Sequence, residues 1–446
     1  MKYIKNIFKN TFIEKYARII KSFIPYKYMV DKEFYLFLKT LHDNENKSYD
    51  EIIHFQFSKL KEIVKGAYEH SSFYNKKYDE YGFNPCHLKD ISDIKKIPLL
   101  SKDEVREHSK EMCVVNRAGL YSQYTSGTTG KPLIFFADKK CIAREWASIC
   151  YQWERVGYKP NDGRIELRGF IDGNNDCDEH PDHKVVRINI IKLSRDNINK
   201  IIGIINKSKY RFLHGYPSAI YKFAKILGDK KIDYSPDAIM FASEVLYDWQ
   251  FETIHDRMKK SLKIAHYGQA EKVALGAWLD NDKKYHFIPS YGITEIDPET
   301  GELIGTSLIN DVMPFIRYKM TDTVEDLSEK PQTEKTLFPV IGKITGRQED
   351  LTYDQNGNMI PPAIVTFPFK QLKSIKACKI IQNEINDFEL IVEGANCSEI
   401  IVESNNVIND LKKIYGDGSR FKLIVQNAIP TDKSGKFRWI ECKIKV

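Results

Sequence analysis

Between Tyr121 and about Ile341 the chain alternates short apolar runs with amphipathic stretches. The runs include Arg164–Leu167, Val185–Ile191, Phe212–His214, Ala238–Ala242 and Ile264–Tyr267. Short runs suit strands, and the stretches between them suit helices with one apolar stripe. Strands covered by helices bury both, so the pattern predicts an α/β body of packed sheets with covering helices over residues 116–344. Upstream, Phe34, Leu36, Leu38 and Leu41, then Ile52, Ile53, Phe57, Leu60, Ile63 and Val64, follow the 3.6-residue helical period. Ser101 with Glu104 reads as a capping box opening a further helix. Residues 1–115 are therefore a helical region that joins the body in one large N-terminal domain. Downstream, Asp354-Gln355-Asn356-Gly357-Asn358 lies between Leu351/Tyr353 and Met359/Ile360 and is a hairpin signal. Runs at Ser374–Gln382, Phe388–Val392 and Phe421–Val425, with a helix around Ile400–Ile414, predict a small α+β C-terminal domain over residues 345–446. The boundary falls near Gly342–Gly346.

At 446 residues there is length for a substantial core, and 42% hydrophobic with 29% charged residues is ordinary for a soluble globular chain. The eight cysteines are scattered without a C-x-x-C pair, which suits reduced thiols rather than a disulfide frame or a zinc module. No apolar run approaches the ~18 residues of a membrane span, and no secretory leader is read at the start. The expected location is cytoplasmic. The net charge of +7 is uneven: residues 1–30 hold seven basic side chains and one acid, so they supply +6 and leave +1 for the rest. A near-neutral body argues against nucleic acid as partner. Ile4, Ile7, Phe8, Phe12, Tyr16, Ile19, Ile20 and Phe23 recur at helical spacing in that basic segment. The preferred reading is a helix docked on its own domain with a solvated basic face. The alternative is peripheral contact with an anionic membrane at its inner face.

The chemistry concentrates in Tyr124-Thr125-Ser126-Gly127-Thr128-Thr129-Gly130-Lys131-Pro132. Glycines let backbone N–H groups turn toward an anion, hydroxyls add donors, and Lys131 adds a point charge suited to phosphate. This is not a P-loop: Thr125 stands where that motif needs its first glycine, and Pro132 follows the lysine where it needs Ser or Thr. The bland reading of such a stretch is a surface turn.

The loop resembles the phosphate-binding signature of the adenylate-forming enzymes, and further segments resemble their other signatures in the same order. Ala242-Ser243-Glu244-Val245-Leu246 resembles the segment that packs on adenine. Tyr267-Gly268-Gln269-Ala270-Glu271 resembles their Tyr-Gly-x-Thr-Glu motif, with Ala270 where Thr or Ser is usual. Arg317-Tyr318-Lys319-Met320-Thr321-Asp322 resembles the ribose motif, Gly346-Arg347-Gln348-Glu349-Asp350 the hinge, and Pro430 to Arg438 the C-terminal motif with its lysine. Ala67 to Tyr74, Ile97-Pro98-Leu99-Leu100-Ser101-Lys102 and Ile316-Arg317-Tyr318 narrow the resemblance to phenylacetate-CoA ligases and their CapK-like relatives from surface-polysaccharide gene clusters. Gly435 to Trp439 favours the CapK-like branch.

The resemblance implies ATP and Mg²⁺ as requirements. Thr125, Ser126, Gly127, Thr128, Thr129, Gly130 and Lys131 would hold pyrophosphate, and Ser243, Glu244, Tyr267 and Gly268 would border the nucleotide. Asp322 would accept the ribose hydroxyls and Glu271 would ligate Mg²⁺. Lys436 would reach the carboxylate and α-phosphate, with Arg347 near the ribose or phosphate. Glu349 or Asp350 would be the hinge, and His214 and Tyr216 would shape the acyl pocket. Each has a structural rival: Glu271 in an ion pair, Asp322 capping a turn, Lys436 as one more exposed lysine, and His214–Ser218 as a helix-start turn. Cys177-Asp178-Glu179-His180-Pro181-Asp182-His183 has metal-ligand composition without metal-ligand spacing, so a solvated loop is expected.

The implied function is activation of a small carboxylic acid as acyl-AMP, then transfer to an acceptor. One acceptor is an amino sugar or glycan intermediate in surface-polysaccharide assembly. The alternative is coenzyme A, as in phenylacetate-CoA ligase. A non-catalytic adenylate-fold scaffold is the third reading.

Overall fold

The computed structural model describes residues 12–124, 133–167, 171, 175–279, 283–324, 340–342, 344–345, 352–360, 362–365, 368–369, 372, 374–375, 377–394, 397–427, 429 and 439–444. The helical N-terminal region contains α1 (Phe12–Ser22), α2 (Tyr26–Met29), α3 (Lys32–Asn44), α4 (Tyr49–His70), α5 (Ser72–Glu80) and α6 (Lys102–His108). Local chemistry sets several of their starts. Ser48 and Glu51 form a capping box on α4, and Ser101 and Glu104 form the expected one on α6.

After a short ladder of β1 (Tyr121–Tyr124) and β2 (Ile134–Ala137), α7 (Lys139–Glu154) leads into the main sheet. Its strands are β3 (Arg164–Leu167), β4 (Cys177–His180), β5 (Val185–Ile188), β6 (Phe212–Gly215), β7 (Ala238–Ala242), β8 (Leu262–Gly268), β9 (Leu275–Leu279) and β10 (Tyr285–Phe287). Val340–Ile341 (β14) adds to the edge, giving the order β14-β10-β9-β8-β7-β6-β3-β5-β4. The inner run β5-β3-β6-β7-β8 is parallel and the flanking strands are antiparallel.

Alternating side chains feed two cores. Ile165, Leu167, Leu213, Ile239 and Phe241 pack under α8 (Ile198–Ser208), α9 (Pro217–Asp229) and α10 (Asp248–Arg257). Phe212, Ala238, Met240 and Ile264 pack on the opposite face against Phe34 of α3 and Ala147, Cys150 and Trp153 of α7. A sheet covered on both faces needs wholly apolar strands, which is why Ala238-Ile239-Met240-Phe241-Ala242 is buried throughout.

A second sheet of β11 (Gly292–Ile296), β12 (Glu302–Ser307), β13 (Tyr318–Val324) and β15 (Ile344–Thr345) has the order β11-β12-β13-β15. The Ile97–Lys102 segment is stitched to it: Leu100 N–H donates to the Arg317 carbonyl and Lys319 N–H to the Leu100 carbonyl, both at 3.0 Å. Tyr74, at the end of the Ala67–Tyr74 motif, donates to the Pro314 carbonyl at 2.8 Å. Both stretches therefore brace the approach to β13.

Farther on, β16 (Thr352–Tyr353) and β17 (Met359–Ile360) form the expected hairpin, closed by Asp354 accepting from Asn356 N–H and Asn358 N–H at 2.9 and 2.8 Å. The helix α11 (Pro362–Val365) follows. Then β18 (Ala377–Glu384), β19 (Asp387–Glu393), α12 (Ser398–Tyr415), β20 (Arg420–Gln426) and β21 (Ile440–Cys442) build a four-stranded sheet in the order β20-β19-β18-β21. Phe388, Leu390 and Val392 meet Val407, Leu411 and Ile414 of α12 in its core.

One expectation is corrected. The stretch Cys177–His183 is not a solvated loop: Cys177–His180 pairs along β5 as the edge strand, and Pro181–His183 is a 3₁₀ turn. The pattern was missed because an edge strand tolerates charged side chains on its open side. No group of three or more His, Cys, Asp or Glu residues among the described ones could hold a metal ion. All eight cysteines are free thiols.

Candidate active site

Three of the singled-out segments sit at the carboxyl ends of neighbouring parallel strands. His214 and Gly215 end β6, Ser243 and Glu244 follow β7, and Tyr267 and Gly268 end β8. Ligands of open α/β sheets bind outside these strand ends, where loops are free to diverge. Gly215 is required sterically, since a Cβ there would stand 2.5 Å from the Leu167 carbonyl oxygen. Ser243 adopts φ +70, a left-handed turn that lifts the chain away from β7. Glu244 then accepts from Ser218 Oγ at 2.6 Å and Ser218 N–H at 3.3 Å, at the first turn of α9.

The second sheet closes the site. Tyr267 Oη donates to Asp322 Oδ2 at 2.5 Å. Gln269 Nε2 donates to Tyr267 Oη and lies 2.8 Å from Met320 Sδ. Tyr318 Oη donates to Glu271 Oε1 at 2.9 Å. Residues 267, 269 and 271 thus meet 322, 320 and 318 in three successive rungs. The β13 residues come from one face of a strand, whereas β8 ends at Gly268 and the Gln269–Lys272 turn swings Glu271 toward Tyr318. Burial, with the Asp322 carboxylate beside it, pushes the Tyr267 hydroxyl well above its ordinary value, so it stays a proton donor. Tyr285 and Phe287 hold its ring edge-on, with centroids 6.2 and 5.9 Å away.

Residues 352–443 match the family model of the CapK C-terminal domain. Over 470 aligned residues the chain is 22% identical to Protein CapK of Staphylococcus aureus, covering 98% of each. It is 25% identical over 340 residues to a phenylacetate-coenzyme A ligase of Escherichia coli strain K12, covering 71% of this chain and 76% of the relative. A solved 2-hydroxyisobutyryl-CoA ligase, in complex with 2-HIB-AMP and CoA, superposes with a TM-score of 0.58 at 18% identity, over 88% of this chain and 90% of that one. That likeness establishes the fold. The chain thus resembles Protein CapK and the phenylacetate-coenzyme A ligases along most of its length, and the CapK C-terminal domain over residues 352–443.

Several positions singled out by the resemblance to adenylate-forming enzymes lie outside the described residues: Thr125 to Lys131, Arg347, Glu349, Asp350 and Lys436. The last of these is bracketed by described anchors. Ile429 N–H donates to Glu393 Oε2 at 3.0 Å on β19, and the buried Trp439 accepts from Ile380 N–H at 2.7 Å on β18. The described strands on either side of Lys436 in sequence, β20 and β21, are the opposite edges of the small sheet.

Glu271 fits the metal-binding role that the resemblance implies. The residue is 7% exposed and its Oε1 accepts from Tyr318; among the described residues no partner reaches Oε2, a hard oxygen suited to a cation such as Mg²⁺. His214 is buried with Nδ1 2.8 Å from the Met240 carbonyl, its ring against Trp153 (4.9 Å) and stacked over His266 (6.1 Å). Tyr216 does not join it: it precedes Pro217 at the start of α9 and is buried in the core on the other side of the sheet. The helix-start reading of His214–Ser218 thus holds for Tyr216, Pro217 and Ser218.

Sequence reasoning assigned no role to Tyr318 or Gln269. Part of the signal was present, because Tyr318, Met320 and Asp322 alternate along one strand; Gln269 and Glu271 lie in the turn after β8, which no spacing rule connects to them. Arg317 is a brace at φ +47: it grips Glu295 at 3.0 and 3.1 Å and donates to the carbonyls of Lys95 and Ile97 at 3.0 and 2.7 Å.

Proposed function

We propose that this chain is an AMP-forming acid ligase that converts a small carboxylate to its acyl-AMP and then transfers the acyl group. The Tyr267–Asp322 and Tyr318–Glu271 pairs carry the reading, because they tie Asp322 of β13 to the end of β8 and Glu271 of the turn after it to β13, beside strand ends of the kind that bind ligands in open α/β sheets. In the first step a carboxylate oxygen bonds to the α-phosphorus of ATP and the bond to pyrophosphate breaks. Two anions must approach, so catalysis is mainly neutralisation and positioning. The residues supply it as follows. Asp322, oriented by Tyr267, accepts the ribose hydroxyls. Glu271, oriented by Tyr318, holds Mg²⁺, which supplies charge neutralisation on the phosphates when bound. Thr125 to Lys131 bind pyrophosphate, and Lys436 contacts the carboxylate and α-phosphate.

In the second step a nucleophile bonds to the acyl carbon and AMP leaves. Coenzyme A is one acceptor, in keeping with the phenylacetate-coenzyme A ligase relatives. An amine on a sugar or glycan intermediate of surface-polysaccharide assembly is the reading we favour. It is supported by the end-to-end likeness to Protein CapK, which includes the C-terminal portion.

Pyrophosphate release with ATP, Mg²⁺ and a panel of aryl, fatty and amino acids, with and without coenzyme A, tests both steps. Acid-dependent release that coenzyme A does not raise, but an amino-sugar nucleotide does, is the expected result. Release strongly raised by coenzyme A moves the assignment to an acyl-CoA synthetase. Wild-type release no greater than that of Lys436→Ala for every acid supports the scaffold reading.

A further inference from the structure

The N-terminal helices present apolar side chains that stand exposed among the described residues. On α1 and α2, Tyr16 is 53% exposed, Ile20 67%, Phe23 81% and Tyr28 71%, with Ile19 and Ile24 also exposed. The segment is nevertheless anchored. Arg18 hydrogen-bonds the His180 ring, and Trp146 Nε1 donates to Tyr26 Oη at 2.6 Å. Tyr16, Ile19, Ile20 and Phe23 therefore face outward on a docked element, whereas the sequence reading is a docked helix with a solvated basic face; Ile4, Ile7 and Phe8 of that reading lie outside the described residues. A contiguous exposed apolar patch on a folded protein marks an interaction surface.

Charge decides the partner. Residues 1–30 carry +6 of the +7 net charge, and Lys21 and Lys27 stand exposed beside Ile20, Phe23 and Tyr28. A second copy of the chain would bring the same positive surface against itself, which opposes an isologous contact. Nucleic acid would use the charge and leave isoleucine and phenylalanine in water. An anionic bilayer surface takes both: its lipid charge attracts the lysines and its headgroup–acyl boundary accepts the apolar side chains. No described helix is long and apolar enough to cross a membrane, so the contact lies on the surface. We propose that α1 and α2 dock the protein peripherally on anionic phospholipid through Ile20, Phe23 and Tyr28, flanked by Lys21 and Lys27.

The test is flotation of the full-length protein with phosphatidylcholine vesicles, with and without phosphatidylglycerol. Wild type floats with the anionic vesicles, and less so as salt is raised. An Ile20→Ser/Phe23→Ser variant and a Lys21→Glu/Lys27→Glu variant each bind about tenfold more weakly, with thermal melts unchanged because all four side chains are exposed. Wild type that stays unbound, equal flotation with neutral vesicles, or variants that float like wild type overturns the proposal. So does a wild-type dimer, seen by light scattering, that the Ile20→Ser/Phe23→Ser variant loses, since the patch then serves a second copy. None of these readouts depends on the ligase activity.

Discussion

Tyr267 and Asp322 are 55 residues apart in sequence, yet one hydrogen bond joins them, and Tyr318 reaches Glu271 in the same way across 47 residues. Among the described residues a phenol reaches each carboxylate. A phenol orients a carboxylate without neutralising it, which suits the proposed contacts of Asp322 with ribose hydroxyls and of Glu271 with a cation. Asp322→Ala is expected to raise the KM for ATP by about 10–100-fold, the loss of hydrogen bonds to a charged group, with little change in kcat. An unchanged KM in pyrophosphate exchange would remove Asp322 from the nucleotide site. Tyr318→Phe leaves the Glu271 charge intact but unoriented. It is expected to lower adenylation about tenfold and to raise the Mg²⁺ concentration needed for half-maximal rate. Magnesium titration of the variant checks this, and an unaltered midpoint would make Tyr318 merely a packing residue.

Helix α9 illustrates how one element serves both packing and electrostatics. Its start is set by Pro217 and by Glu244 beyond the next strand, and Phe223 and Leu227 bury its apolar stripe. The same helix buries Lys222, whose ammonium donates to the Ile190 carbonyl at 3.1 Å. Burial pulls its pKa down from 10.5 to about 8, partly offset by Asp354 in the β16–β17 hairpin. The folded state therefore releases this proton at about pH 8, while the unfolded chain holds it to 10.5. Stability is penalised at neutral pH and rises between those values, by about 3 kcal/mol from this group. Lys222→Met is expected to stabilise the protein at pH 7 by about 1–3 kcal/mol and to lose that rise. Urea midpoints of both proteins at pH 7 and pH 9.5 measure it; parallel pH profiles would show that the ammonium is solvated. Elements of this kind were legible in the sequence, because propensity, capping and periodicity are local. The helix expected around Ile400–Ile414 is Ser398–Tyr415, and the strand expected over Phe421–Val425 is Arg420–Gln426. The edge strand Cys177–His180 was not legible, since its polarity reflects its place at the rim.

For the whole molecule, we propose a division between residues 1–344 and 345–446, with Glu349 or Asp350 as the hinge. The small sheet and α12 enclose their own apolar centre, with Phe388, Leu390, Leu411, Ile414 and Trp439 buried. A fragment of residues 345–446 is therefore expected to unfold cooperatively in urea, with an m value of about 1–2 kcal/mol/M. A broad, probe-dependent transition would mean that the unit needs the large domain. Such contacts exist: Ile360, Ile364 and Val365 belong to the same continuous core as Ile220 and Phe223 of α9.

Hydrophobic spacing alone specified an α/β body, a helical N-terminal region and a small α+β end, because burying each apolar stripe leaves few alternatives. The motifs fixed which segments carry polar chemistry and in what order. The tertiary structure decided their pairing. That Tyr267, Gln269 and Glu271 mesh with Asp322, Met320 and Tyr318 depends on where one sheet stops beside another, a relation that no local spacing encodes. It also decided that Ile20 and Phe23 face outward. An amphipathic period states which side chains share a helix face, while what covers that face is settled by the competition among every apolar surface in the folded chain.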